Sequence, residues 1–146
     1  GLMAMAYGHV YVAQVAFGAR DAQTLKAFQE AEAYDGPSLI IAYSHCIAHG
    51  YDLALGLEHQ KLAAHSGYWP LYRFDPRRIS AGEPGLVMDS PPPKSSPAAL
   101  MLEEDRFQIT KKANPEAYEA LVAPAQTRIE RRLKLYAALA GQSPAH

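Results

Sequence analysis

Ser38-Leu39-Ile40-Ile41-Ala42-Tyr43 decides the reading of the fold. Six residues of bulky apolar character, entered from the turn signal Asp35-Gly36-Pro37, predict a strand buried on both faces. Upstream, Val10-Tyr11-Val12-Ala13-Gln14-Val15-Ala16 has the same β-branched, weakly alternating character and predicts a second such strand, broken at Gly18. Between them Asp21 is placed to cap a helix running to about Ala33, with Leu25 and Phe28 on its inner face. Strand, helix and strand follow one another within about 30 residues, the size of a βαβ unit with parallel strands and a right-handed crossover. In open α/β sheets chemistry gathers beyond the carboxyl ends of the strands. Ser44-His45-Cys46-Ile47-Ala48-His49-Gly50 occupies that place.

Outward from this unit, Leu2 to Tyr7 reads as the last turns of a helix stopped by Gly8. A further helix is expected from about Leu53 to Ala64. The segment Tyr68-Trp69-Pro70-Leu71-Tyr72-Arg73-Phe74 reads as a strand whose aromatic residues pack rather than form a stacking platform. Residues 80–97 are rich in Gly, Pro and Ser and predict an extended arm with a short strand at Leu86–Met88. Asn114 as N-cap and Pro115 at the first helical position open a final helix to about Ala140, which Pro124 should bend. Tyr118, Leu121, Val122, Ala125, Ile129, Leu133, Tyr136 and Ala140 form its apolar stripe. Arg128, Arg131, Arg132 and Lys134 are expected on its solvated face. The organisation is therefore an α/β portion over 1–78, a Pro-rich arm over 79–113, and a C-terminal helix and tail over 114–146. An arm of this kind is expected to lie on a neighbouring domain or subunit. The opening Gly1-Leu2-Met3, with no initiator methionine before an already patterned segment, predicts a piece of a longer chain.

Composition narrows the classes. Hydrophobic residues make up 49% and charged residues 20% of 146 residues, enough for a real core. Fourteen Lys and Arg against fifteen Asp and Glu leave a net charge of −1, which offers no footprint for nucleic acid or an anionic membrane. No apolar run approaches the ~18 residues of a membrane span. The single cysteine, Cys46, rules out an internal disulfide and fits a reducing compartment, here the cytoplasm.

Three readings of Cys46 compete on residues alone. It could join His45 and His49, spaced i,i+4, as a zinc ligand. It could give one thiolate to a [4Fe–4S] cluster, which takes four Cys thiolates and so needs further polypeptide. Or it could be a buried thiol behaving as a small hydrophobe, the commonest fate of an unpaired Cys. His59 and His65, in a polar helical stretch, carry no signal.

Residue identity adds to this. The string from Ser38 through Ser44-His45-Cys46-Ile47-Ala48-His49-Gly50-Tyr51-Asp52 resembles the C-terminal thiamine-diphosphate-binding region of pyruvate:ferredoxin (or flavodoxin) oxidoreductases. Gly1 to Gly18, Lys26-Ala27-Phe28, Glu30 to Ser38, Gln60-Lys61-Leu62-Ala63 and Ser66 to Arg77 are similar as well. The resemblance is close over about 1–78 and looser beyond. It implies a fold of the thiamine-diphosphate-binding type: a partial parallel sheet with flanking helices, then an extended arm and a long C-terminal helix. It implies Cys46 as one ligand of a [4Fe–4S] cluster. For His45, His49 and Ser44 beside it two readings stay open: hydrogen bonding to the cluster sulfurs or ligand backbone, or a satisfied loop-and-cap role in which the Ser44 hydroxyl caps the following turn. The whole enzyme would use thiamine diphosphate and Mg2+, convert pyruvate and coenzyme A to acetyl-CoA, and pass electrons to ferredoxin or flavodoxin, commonly as a homodimer. The Gly-Asp-Gly motif that holds magnesium and diphosphate in the family does not occur in this sequence, so no thiamine, magnesium or pyruvate ligand is assigned, and the isolated chain is not expected to be active. A non-catalytic subunit or interaction module of the same fold is the alternative function class.

Overall fold

The computed structural model describes residues 1–142. A short α1 (Leu2–Met5) leads into β1 (Tyr11–Val15), α2 (Asp21–Glu32) and β2 (Ser38–Ala42). Two 3-10 turns, Ile47–His49 and Leu53–Leu55, precede α3 (Gly56–His65). Then come β3 (Tyr72–Phe74), α4 (Pro76–Ser80), β4 (Leu86–Met88), α5 (Pro97–Leu102), α6 (Asp105–Ala113) and α7 (Pro115–Leu139).

The four strands form one sheet in the order β2-β1-β3-β4. β1 and β2 pair in parallel, Tyr11 opposite Ser38 and Val15 opposite Ala42, as the βαβ reading requires. The sheet as a whole is mixed, which corrects the expectation of a parallel one: β3 runs antiparallel to β1 and β4 antiparallel to β3. The reason lies in the connections. β3 follows β2 by way of α3, and its Tyr72-Arg73-Phe74 enters from the opposite end, on the free side of β1. β4 then returns as its antiparallel neighbour.

β1 is buried along its whole length, as a strand with both faces covered should be. β2 is not. Its residues are exposed or half-buried, with Leu39 41% exposed, because it is the outer strand of the sheet. On one face Met5, Val12, Tyr72, Phe74, Leu86 and Tyr136 form a core joining the sheet to α7. On the other, Tyr11, Ala13 and Val15 pack on Ala27 of α2. Across that face Arg73 bridges Asp89 and Glu30, and the Tyr11 hydroxyl donates to Glu30 at 3.0 Å.

α2 departs from its predicted orientation. Asp21 is its first residue and Arg20 the capping position, while Leu25 and Phe28 are 60% and 54% exposed. The helix leans on the sheet through Gln23 and Ala27, whose small or hydrogen-bonded side chains permit close approach. α5 and α6 occupy residues 97–113 of the stretch read as an extended arm. That arm lies on the chain's own surface, where Lys94 N–H donates to His65 O at 2.8 Å.

α7 begins as read, with Asn114 Oδ1 accepting the Ala117 N–H at 2.9 Å and Pro115 in the first turn. It continues through Pro124 as one helix. Tyr118, Ile129 and Tyr136 of its stripe are buried, whereas Leu121 is 63% exposed. Arg132 is not on the solvated face: it donates to the carbonyls of Gly67 (3.0 Å) and Tyr68 (2.6 Å), closing the end of α3. Tyr72 and Phe74 pack as expected, and Trp69 meets Tyr43 edge-on at 5.2 Å. No helix of the described residues is long and apolar enough to cross a membrane.

Candidate functional site

The loop leaving β2 carries the residues singled out by sequence. Cys46 is half-buried, in extended conformation (φ −143°, ψ 123°), at the head of the Ile47–His49 turn. Ser44 is exposed, and its hydroxyl donates to the His45 carbonyl at 3.2 Å rather than capping the turn.

His45 and His49 diverge. Gln60, 4% exposed, accepts the Gly18 N–H through Oε1 at 2.8 Å and therefore presents its Nε2 as donor to His45 Nδ1 at 3.0 Å. That fixes His45 as the tautomer protonated on Nε2. Its ring lies so close to Gly56 that a Cβ there would fall 1.8 Å from His45 Nε2. His49 turns instead toward Glu104, with Nδ1 at 3.8 Å from Glu104 Oε1 and no hydrogen-bond partner. Among the described residues no group of three or more His, Cys, Asp or Glu side chains converges as a metal site, so the zinc reading of His45, Cys46 and His49 fails.

Beneath the loop lies a network that sequence reasoning missed. Glu104 is fully buried, and His59, which carries no signal in the sequence, is 2% exposed. His59 Nε2 lies 2.8 Å from Glu104 Oε1, and its Nδ1 lies 3.2 Å from Glu103 Oε2. Each ring nitrogen of His59 thus has a carboxyl oxygen within hydrogen-bond reach. Arg106 pairs with the other Glu104 oxygen; burial is the largest single influence and opposes its charge, but the bond to Glu104, the Glu104 charge and Tyr68 together outweigh it and raise its pKa. The Tyr51 ring stacks on His59 at 3.9 Å and 21°. Burial, reinforced by the Glu104 charge, pushes the Tyr43 and Tyr51 phenols above their ordinary range. Both hydroxyls are buried without hydrogen-bond partners, as His49 Nδ1 is. The available signal was the run Glu103-Glu104-Asp105 leading into α6, whose acidic residues suit a helix N-terminus. It gave no hint of a partner so far upstream.

An open groove of about 700 Å3 runs beside the loop, walled by Ile47, Gly50, Tyr51, Leu55, His59 and Asp105. With His45 committed to Gln60 and His49 turned to Glu104, neither imidazole is set up as a base for Cys46.

No protein-family model matches the chain. It is 55% identical over 141 residues to pyruvate-flavodoxin oxidoreductase of Rhodospirillum rubrum, covering 97% of this chain. It is 49% identical over 143 residues to the probable pyruvate-flavodoxin oxidoreductase of Escherichia coli, covering 98%. It is 46% identical over 140 residues to pyruvate:ferredoxin oxidoreductase of Moorella thermoacetica, covering 96%. The chain spans 12% of the length of each of these relatives. Over nearly all its length, then, this chain is homologous to a segment of pyruvate-flavodoxin and pyruvate:ferredoxin oxidoreductases.

Proposed function

We propose that the chain acts as part of a 2-oxoacid oxidoreductase, supplying through Cys46 one thiolate ligand of a [4Fe–4S] cluster. The observation that carries this reading is the 55% identity to an oxidoreductase segment over almost the whole chain, with Cys46 on the loop past the carboxyl end of β2. A cubane cluster takes four Cys thiolates, and this chain has one. The residues present fit a one-ligand contribution, the remaining three coming from polypeptide outside this sequence. When bound, the cluster would relay single electrons. In the whole enzyme pyruvate and coenzyme A give acetyl-CoA and carbon dioxide, and two electrons leave singly toward flavodoxin or ferredoxin. Thiamine diphosphate and Mg2+ would be held by residues elsewhere, with β1 and β2 forming part of a thiamine-diphosphate-binding domain in a homodimer.

What this chain contributes is presentation of the sulfur. The Tyr43 and Tyr51 hydroxyls and His49 Nδ1, buried and unpartnered near the loop, are the groups available to hydrogen-bond the ligand or cluster sulfurs. His45 acts one step back, tying the loop to Gln60 and Gly18.

Cys46→Ala in the full-length enzyme should lower iron by about one cluster per subunit, about four iron atoms, and remove one cluster from the reduced enzyme's EPR spectrum. Unchanged iron in a folded variant would sink the assignment.

A further inference from the structure

Sealing a carboxylate and an imidazole beneath a loop is costly unless the two are well paired. Glu104 and His59 have that pairing, and what they touch leads back to the Cys46 loop. Glu104 stands at the capping position of α6, and the next residue, Asp105, donates its N–H to the Gly50 carbonyl at 2.9 Å. Glu104 Oε1 lies 3.8 Å from His49 and 2.8 Å from His59, whose ring carries Tyr51 stacked upon it. Three consecutive residues shortly after Cys46, namely His49, Gly50 and Tyr51, therefore rest on one corner built from Glu104, the Asp105 backbone and His59. The loop's own internal bonds are slight: His49 N–H to Cys46 O and Gly50 N–H to Ile47 O, each 3.0 Å. Two such bonds do not hold a loop in one conformation against its entropy.

We infer that Glu104, with His59, is a positioning residue for the cysteine loop: the buried pair locks residues 47–51 and thereby fixes the direction in which Cys46 presents its sulfur. The redox consequence rests on the reading of Cys46 as a cluster ligand; the lock itself does not. The downstream segment carrying α5 and α6 is then a working part of the site and not a spacer between the sheet and α7.

The test uses full-length enzyme with Glu104→Gln, which keeps shape and removes charge, and His59→Gln as a second variant. Amide hydrogen exchange is followed in the peptide covering 47–51 and in β1 as internal control. The expected result is exchange faster by about tenfold or more in 47–51, equivalent to about 1.4 kcal/mol of easier local opening. β1 should be unchanged. Iron should be retained, and the EPR signal of the cluster altered in shape. Wild-type exchange in 47–51 in both variants overturns the proposal. So does equal acceleration in β1, which would make the pair an ordinary part of the core. If Cys46→Ala keeps its iron while Glu104→Gln still loosens 47–51, the cluster reading has failed and the lock has not.

Discussion

Gly50 meets two demands that no other amino-acid type could meet at this position. Its φ of +71° lies in the left-handed region, and a Cβ would fall 2.4 Å from Asp105 Cβ. An L-residue loses roughly 1–2 kcal/mol in that conformation, before any displacement of Asp105. Gly50→Ala should destabilise the chain by at least that amount in urea unfolding and shift the 47–51 loop off Asp105. A variant as stable as wild type would mean that the Gly50–Asp105 contact does not hold the loop. At this scale the sequence was half legible. Ser44, His45, Cys46 and His49 could be placed on a loop past a strand, because a strand followed by Gly and polar residues says so locally. The pairing of Glu104 with His59 could not, since it joins the capping residue of α6 to α3, which no local pattern connects.

At the scale of elements, α2 shows how periodicity misleads. Leu25 and Phe28 have helical spacing and look like a core stripe, yet Gln23 and Ala27 face the sheet. Small inward residues with large outward ones mark a helix with apolar character on two sides, so the direction of packing is not encoded in the stripe alone. β2 is a parallel case: its composition suits a strand covered on both faces, and here it is the sheet's outer strand. Because Leu25 and Phe28 contribute little to packing within this chain, Leu25→Lys with Phe28→Lys should change the isolated chain's stability by less than about 0.5 kcal/mol each, the usual range for surface sites. The same pair of changes should reduce self-association in sedimentation velocity, since exposed large apolar residues favour it. A loss of several kcal/mol would show that the outer face of α2 is packed after all. β1, β4 and α7 were legible because capping, propensity and pattern agree in each of them.

For the whole molecule, the core draws on tyrosine. Tyr11 and Tyr72 are fully buried on opposite faces of the sheet, and Tyr43 lies under the cysteine loop beside Trp69. Burial raises all three phenols above the ordinary range, Tyr11 further through Glu30, Tyr43 through Glu104 and Tyr72 through Tyr136. The linkage has a definite sign. A phenol whose pKa is higher when folded stays protonated in the native state while the unfolded chain releases its proton. Its contribution is complete below the unfolded value of about 10 and declines as pH rises beyond it, because the unfolded state then binds fewer protons. Stability should therefore be level with respect to these groups near neutral pH and fall steeply above about pH 10. The tyrosinate absorbance of these residues should appear together with the loss of secondary structure and not before it. If the buried tyrosines titrate while the far-ultraviolet circular dichroism is still native, the two faces of the sheet admit hydroxide, and the core is looser than its packing implies. Tyr11→Phe separates the contributions: it removes one of the shifted groups together with the hydrogen bond to Glu30, so the alkaline decline should become shallower while stability at neutral pH drops by about 1 kcal/mol.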